Sequence, residues 1–318
     1  MKYEPRPVFV ERIRNLLENE SDVNKFFKVA ETRARKSIRV NTLKTSPEKM
    51  KKLIMDRGWK INQIQGHPEI IQINSELLPG ELGNTKEHIL GDYYIQEVTS
   101  MMPIIALNPK SGDILLDLCA SPGSKTTQAA ALMENRGNIF ANDVSIGRIS
   151  ILSSNLERIG VTNTIVTRHD GISLCDKFKK LGIKFDKILL DAPCSGEGGL
   201  RSNQRIYLEW SEKLLESLGR KQKKLIKSCL EILKDGGELV YSTCTYAPEE
   251  NECVIQFALD NFNLRIEKLD LPLKTRPGIL KWKDEKFYDE MIKAGRIYQH
   301  DNDMEGFFIC KLKKLGEK

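Results

Sequence analysis

The chain has 318 residues, 40 % of them hydrophobic and 30 % charged, with a net charge of +6; this is the balance of a folded globular protein of one or two domains, not of a disordered one. No apolar run reaches the roughly 20 residues needed to cross a bilayer, and the amino terminus MKYEPRPVFVERIRNLL lacks a secretory signal pattern, so a cytoplasmic, membrane-free protein is expected. Seven cysteines, odd in number and without a Cys-x-x-Cys pair, argue against a disulfide framework or zinc cluster, and no metal is expected.

In chain order, residues 8–29 place Phe9, Ile13, Leu16, Leu17, Phe26 and Phe27 at helical spacing, which predicts one helix. A short strand follows over 37–42. Pro47 opens a helix over 46–57 that Gly58 ends, and residues 59–74 alternate as strands do. Between Lys25 and Lys60 twelve cations (Lys25, Lys28, Arg33, Arg35, Lys36, Arg39, Lys44, Lys49, Lys51, Lys52, Arg57 and Lys60) face only Glu31, Glu48 and Asp56. A small basic α+β module that binds a polyanion is the expectation. For a second basic run, Arg220 to Lys227, a solvated helix face competes equally. Residues 85–97 are expected to form a hairpin that leads into a helix over 99–107.

From Asp113 onward, strands at 113–118, 138–141, 164–167, 185–190 and 238–242 alternate with helices at 124–133, 146–159, 204–233 and 248–261. The helix over 204–233 is expected to stop at Asp235-Gly236-Gly237. Two more strands, near 264–269 and 306–312, would close one edge. This is the α/β pattern of an open twisted sheet with helices on both faces, a Rossmann-like architecture. Ligands of such sheets sit beyond the carboxyl ends of the strands.

The motifs fall at those ends. Leu116-Asp-Leu-Cys-Ala-Ser-Pro-Gly-Ser-Lys-Thr-Thr127 follows the first strand, where small residues and a helix amino terminus let a ligand approach the backbone. It is neither a phosphate-binding loop, because Ser124 separates Gly123 from Lys125, nor a three-glycine dinucleotide fingerprint. Asp143 ends the second strand, where an acid can accept hydrogen bonds from a ribose; a helix cap is the alternative. Asp170 adds a polar group after the third strand. Asp191-Ala-Pro-Cys-Ser-Gly196 and Ser242-Thr-Cys-Thr245 follow the fourth and fifth strands, which, if neighbours, stand about 4.8 Å apart. Cys194 and Cys244 would then share one pocket beside Asp191. The other cysteines at 175, 229, 253 and 310 read as buried small hydrophobes.

Together these three motifs resemble the Nol/Nop/Sun family of RNA cytosine-5 methyltransferases. Arg39-Val-Asn-Thr-Leu43 resembles its amino-terminal motif, and Arg296-Ile-Tyr-Gln-His300 with Gly306-Phe-Phe308 its carboxyl-terminal one. Ser121, Ser124 and Gln299 depart from the family pattern, the last weakening any role for His300. The resemblance implies a class I methyltransferase domain over 99–318 behind an RNA-docking, RNA-recognition-like module over 1–98. It implies S-adenosylmethionine held by Cys119, Ala120, Ser121, Pro122, Gly123, Lys125, Asp143, Arg148, Asp170 and Asp191. It implies catalysis by Cys244 as nucleophile toward carbon 6 of cytosine, with Cys194 assisting release and Asp191 and Lys125 supporting. The bare sequence favours the reverse order of cysteines, since Pro-Cys suits a nucleophile at a sharp turn. The resemblance favours tRNA as the partner, with rRNA as the alternative. A non-catalytic RNA-binding protein and a DNA cytosine methyltransferase are the rivals from other classes; the intact Asp191, Cys194 and Cys244 oppose the first, and Cys244 is surplus to the second.

Overall fold

The computed structural model describes residues 3–316. The predicted helix over 8–29 is two helices, α1 (Pro7–Leu17) and α2 (Glu20–Ala30). Glu18 turns left-handed at φ 55°, and the Asn19 side chain accepts the Ser21 N–H to start α2. The apolar periodicity runs across this break because both helices bury their stripe in one core. Phe9, Ile13, Val23 and Phe26 pack there with Ile188, Tyr241 and Tyr246 of the large sheet and its loops.

Next come β1 (Lys36–Val40), α3 (Pro47–Asp56), β2 (Ile61–Ile64) and β3 (His67–Ile73). Ser46 caps α3 by accepting the Lys49 N–H, with Pro47 at the first helical position. The expected hairpin over 85–97 does not form. Thr85 instead caps a short helix, α4 (Lys86–Ile89), leaving one strand, β4 (Tyr93–Ile95), antiparallel to β1. The four strands run in the order β2-β3-β1-β4 over their own core of Ile38, Val40, Met50, Ile54, Ile71 and Ile73.

The rest of the chain builds the large sheet: α5 (Val98–Leu107), β5 (Ile114–Asp117), α6 (Ser124–Leu132), β6 (Asn138–Asn142), α7 (Ile146–Ile159), β7 (Thr164–Thr167), α8 (Gly171–Lys180) and β8 (Phe185–Asp191). After these come α9 (Ile206–Glu209), α10 (Glu212–Ile232), β9 (Leu233–Thr243), α11 (Glu252–Asn261) and β10 (Leu264–Glu267). The chain closes through β11 (Arg276–Pro277), the small hairpin β12 (Lys281–Trp282) and β13 (Glu285–Lys286), β14 (Gly295–Ile297), α12 (Gln299–Asn302) and β15 (Phe307–Lys314). Strand order is β11-β14-β15-β9-β8-β5-β6-β7, with β10 on β15. Strands β5 to β9 pair in parallel, and β15 is antiparallel to β9. From β5 the chain moves to β6 on one side and to β8 on the other, so the switch point lies at the β5 carboxyl end.

Three helix expectations need correction. Residues 171–180 form α8, an amphipathic helix that the sequence reading left without an element. The helix over 204–233 is broken at Trp210-Ser211, where the Ser211 hydroxyl caps α10 by accepting the Leu214 N–H. The glycines at 236 and 237 do not end α10, which stops at Ile232; Gly236, at φ 77°, lies within β9, beside the register shift of its pairing with β8.

Candidate active site

Strands β8 and β9 are parallel neighbours, with Asp191 opposite Ser242. The loops beyond them therefore leave the sheet side by side, and the Cys194 and Cys244 sulfurs lie 3.4 Å apart. Cys244 is exposed and Cys194 half-buried. A chain of backbone contacts fixes this pair: Gly198 N–H donates to the Cys244 carbonyl at 2.8 Å, and Gly306 N–H to the Gly198 carbonyl at 2.9 Å. Gly198 must be glycine for this contact, since a Cβ there would fall 2.2 Å from the Gly306 carbonyl oxygen.

The two thiols are electrostatically unequal. The hydrogen bond with Cys194 lowers the Cys244 thiol below its ordinary value, against the Asp191 charge and with help from Lys125. The same hydrogen bond, followed by burial, raises the Cys194 thiol well above its ordinary value. On this inequality Cys244 is the sulfur that more readily takes the negative charge, and Cys194 the one that holds its proton. This is the opposite of what the Pro-Cys turn alone suggests.

Asp191 is held on both oxygens. Lys125 Nζ donates to Oδ2 at 2.8 Å, and the Ser242 hydroxyl to Oδ1 at 2.7 Å. Lys125 also donates to Ser100 Oγ at 2.9 Å and lies 5.3 Å from the Phe307 ring centre. The carboxylate and its ammonium partner are therefore fixed, with Asp191 still partly open.

A cavity of about 340 Å³ lies beside Asp191, walled by Asp117, Cys119, Ala120, Ser121, Pro122, Ser124 and Lys125, and on the far side by Tyr94, Gln96, Glu97 and Ser100. Burial pushes the Asp117 carboxyl up to about 7. Its Oδ2 accepts from Thr126 Oγ1 at 2.7 Å, while Oδ1 has no hydrogen-bond partner. Burial likewise raises the Cys119 thiol out of the reactive range. Gly123 sits at φ 99°, and a Cβ there would meet Leu152 Cδ1 at 2.9 Å, so only glycine brings the loop this close to α7.

The expected cofactor residues Asp143, Arg148 and Asp170 do not line that cavity. Asp143, buried, accepts the N–H of Ser145, the residue before α7, at 3.0 Å without capping that helix, and its Oδ2 lies 3.4 Å from Arg148. Arg148 donates to the Ser121 carbonyl at 2.6 Å and so ties Asp143 to the loop. Asp170 caps α8 through the Ser173 N–H and is exposed. His300 lies among Asp22, Arg276 and Phe26, and burial lowers its basicity. In the same segment Arg296 is buried against Glu252 at 2.5 Å, whereas Gly306 and Phe307 of the carboxyl-terminal motif reach the cysteine loops and Lys125.

Several site residues escaped the sequence reading: Asp117, Ser100 and Ser242. Asp117 and Ser242 lie inside quoted motifs, and their position at strand ends is the signal that could have found them. Arg39 was counted among surface cations and is buried. It donates to Gln96 Oε1, to the Ser124 carbonyl at 2.6 Å and to Thr127 Oγ1 at 2.7 Å, and burial lowers its guanidinium to about 9. Eleven of the twelve cations are exposed, although Lys44 is bonded to the Leu90 and Arg158 carbonyls and Arg57 to Glu87.

Residues 104–313 match the family model described as 16S rRNA methyltransferase RsmB/F. The chain belongs to this family. Residues 6–98 match the N-terminal domain of 16S rRNA methyltransferase RsmF. The family is the one its motifs resemble, and it comprises S-adenosylmethionine-dependent RNA cytosine-5 methyltransferases. The chain is similar to the tRNA (cytosine(49)-C(5))-methyltransferase of Pyrococcus abyssi, 42 % identical over 88 % of each chain. It is also similar to ribosomal RNA small subunit methyltransferase F of Vibrio parahaemolyticus, 37 % identical over 96 % of this chain and only 62 % of that protein. Among solved structures, a methyltransferase homolog from Pyrococcus horikoshii aligns with a TM-score of 0.82 at 33 % identity, covering 98 % of this chain and all of that one. NSun6 from the same organism, solved with SFG, aligns with a TM-score of 0.83 at 28 % identity, covering 97 % and 98 %. These neighbours bear out the Rossmann-like methyltransferase fold. Among the described residues no helix is long and apolar enough to cross a membrane.

Proposed function

We propose that this RsmB/F-family member methylates carbon 5 of cytosine in tRNA through a covalent adduct between Cys244 and carbon 6. The observation that carries the reading is the unequal thiol pair beside Asp191. At pH 7 an ordinary thiol is only about 3 % thiolate. Cys194 raises that fraction by donating its S–H to the Cys244 sulfur. Addition of the thiolate to carbon 6 makes carbon 5 enamine-like, which is covalent catalysis. Asp191, steadied by Lys125 and Ser242, meets the N3 edge of the ring and favours that addition. Once the Cys244 sulfur is bonded to carbon 6, Cys194 releases its S–H proton to solvent; after carbon 5 carries the methyl group, the Cys194 thiolate takes the carbon 5 proton and is a thiol again. The carbon 5–carbon 6 double bond then re-forms and expels the Cys244 sulfur.

The residues fit the methyl donor. The unpartnered Asp117 oxygen suits an ammonium group, the Cys119–Pro122 loop and Lys125 border the same space, and Asp143, tied to that loop through Arg148, would accept from a ribose. S-adenosylmethionine, when bound, supplies an electrophilic methyl group. Asp170, exposed and capping α8, lies outside the cavity lining and is the member the structure supports least. Residues 99–318 would carry this chemistry, and residues 1–98 would hold RNA through exposed cations. The target base must be unpaired or flipped out, which costs a few kcal/mol.

The higher identity to a tRNA enzyme supports tRNA. The match of residues 6–98 to the RsmF amino-terminal domain favours 16S rRNA as a second reading. Methyl transfer to purified tRNA and rRNA, with bisulfite mapping of the product, separates them.

The mechanism has a direct test. Cys194→Ala should accumulate a protein–RNA complex that survives denaturing electrophoresis, because addition and transfer proceed while release slows. Cys244→Ala should give neither adduct nor methylated RNA. An adduct from Cys244→Ala instead would reverse the two roles, and none from either variant would end the covalent reading.

A further inference from the structure

The loop that bears Cys194 is held on both sides by one buried pair. Glu250, wholly buried just beyond the Cys244 turn, accepts the Ser195 N–H at 3.0 Å and the Gln222 side-chain amide at 2.8 Å on a single oxygen, Oε2. The same Gln222 nitrogen donates to the Pro193 carbonyl at 2.9 Å. The residues immediately before and after Cys194 thus end on side chains from α10 and from the segment that follows β9. The anchor is itself anchored: the Glu250 carbonyl accepts the Tyr241 hydroxyl at 2.5 Å.

A buried carboxyl is an expensive tether. Burial pushes the Glu250 carboxyl up to about 7, and its other oxygen, Oε1, has no partner. The cost is spent beside a thiol whose direction matters. The Cys194 sulfur lies 3.4 Å from that of Cys244, and in the covalent reading it must lie near carbon 5 for release. A small displacement of a reacting group lowers rate steeply, by up to about a hundredfold per ångström.

We propose that Glu250, together with Gln222, is a positioning residue for Cys194, holding its loop in the register that product release requires. This rests on the covalent reading above, in which Cys194 assists release. Glu250 touches no reacting atom; it acts through the peptide groups on either side of Cys194.

The experiment follows the adduct in time, with Cys194→Ala as control and labelled RNA and methyl donor in excess over the full-length protein. Glu250→Ala should lengthen adduct lifetime about tenfold, with a much smaller change in the rate of first-turnover methyl transfer. Glu250→Gln, which keeps an acceptor oxygen, should restore a lifetime close to that of the wild type. Gln222→Met removes only the amide donor and should also prolong the adduct, which keeps the test available if Glu250→Ala does not fold. A folded Glu250→Ala or Gln222→Met with wild-type adduct lifetime would overturn the assignment, as would a Glu250→Gln as slow as the alanine. If Cys194→Ala itself gives no adduct, the covalent reading fails first; if it does and the Glu250 and Gln222 variants do not, only the positioning role falls.

Discussion

At the scale of single residues, the site depends on which sulfur keeps its proton. The hydrogen bond from Cys194 stabilises the Cys244 thiolate, so its removal should move the Cys244 thiol upward toward its ordinary value. In Cys194→Ala the pH midpoint for alkylation of Cys244, followed by peptide mapping, should therefore shift to higher pH. An unchanged midpoint would show that the sulfur contact does not set this acidity. Much of the site was legible in the sequence, because Asp191, Cys194 and Cys244 fall at strand ends and catalytic groups of open sheets collect there. The ranking of the two thiols was not. It arises from a 3.4 Å contact between loops 50 residues apart, which no local pattern encodes. Arg39 was misplaced for a related reason: a cation among cations reads as surface, and only the Gln96, Ser124 and Thr127 oxygens that meet it in space explain its burial.

At the scale of elements, the close approach of backbone segments holds the two cysteine loops together. Gly306 leads into β15 and has no room for a side chain: a Cβ would stand 2.0 Å from the Tyr246 hydroxyl oxygen. Gly306→Ala should cost about 1–3 kcal/mol through overpacking, read as a lower denaturation midpoint. Activity should fall further than stability alone predicts, since Gly198 and the Cys244 carbonyl lie on the same contact chain. The parallel strands and α7 were readable because strand and helix periods are strong there. Errors gathered where the chain uses caps rather than period. Asn19, Thr85 and Ser211 each start a helix where the apolar pattern suggests continuity or a hairpin. Polar caps compete with the pattern and win locally because they satisfy backbone groups that would otherwise be orphaned.

At the scale of the whole molecule, charge and coupling matter most. Lys49 and Lys52 are exposed on α3. If they meet phosphates, reversing both should weaken RNA binding and flatten the dependence of log affinity on log salt by about 0.7–0.9 per lost contact. Unchanged affinity and slope would return this face to ordinary solvated surface. The amino-terminal sheet also meets the catalytic half directly. Arg39 on β1 grips the first turn of α6, and Tyr94 and Gln96 wall the same cavity as Ser121 and Lys125. Whatever fills that cavity touches both parts of the chain, so their binding equilibria share free energy. S-adenosylmethionine should slow amide hydrogen exchange in β1 and β4. RNA should in turn tighten the methyl donor by the same factor by which the donor tightens RNA, because such coupling is reciprocal. Arg39→Met should sever the link and leave each ligand blind to the other, which calorimetry with one ligand in the presence and absence of the second would register as a ratio of affinities falling to unity.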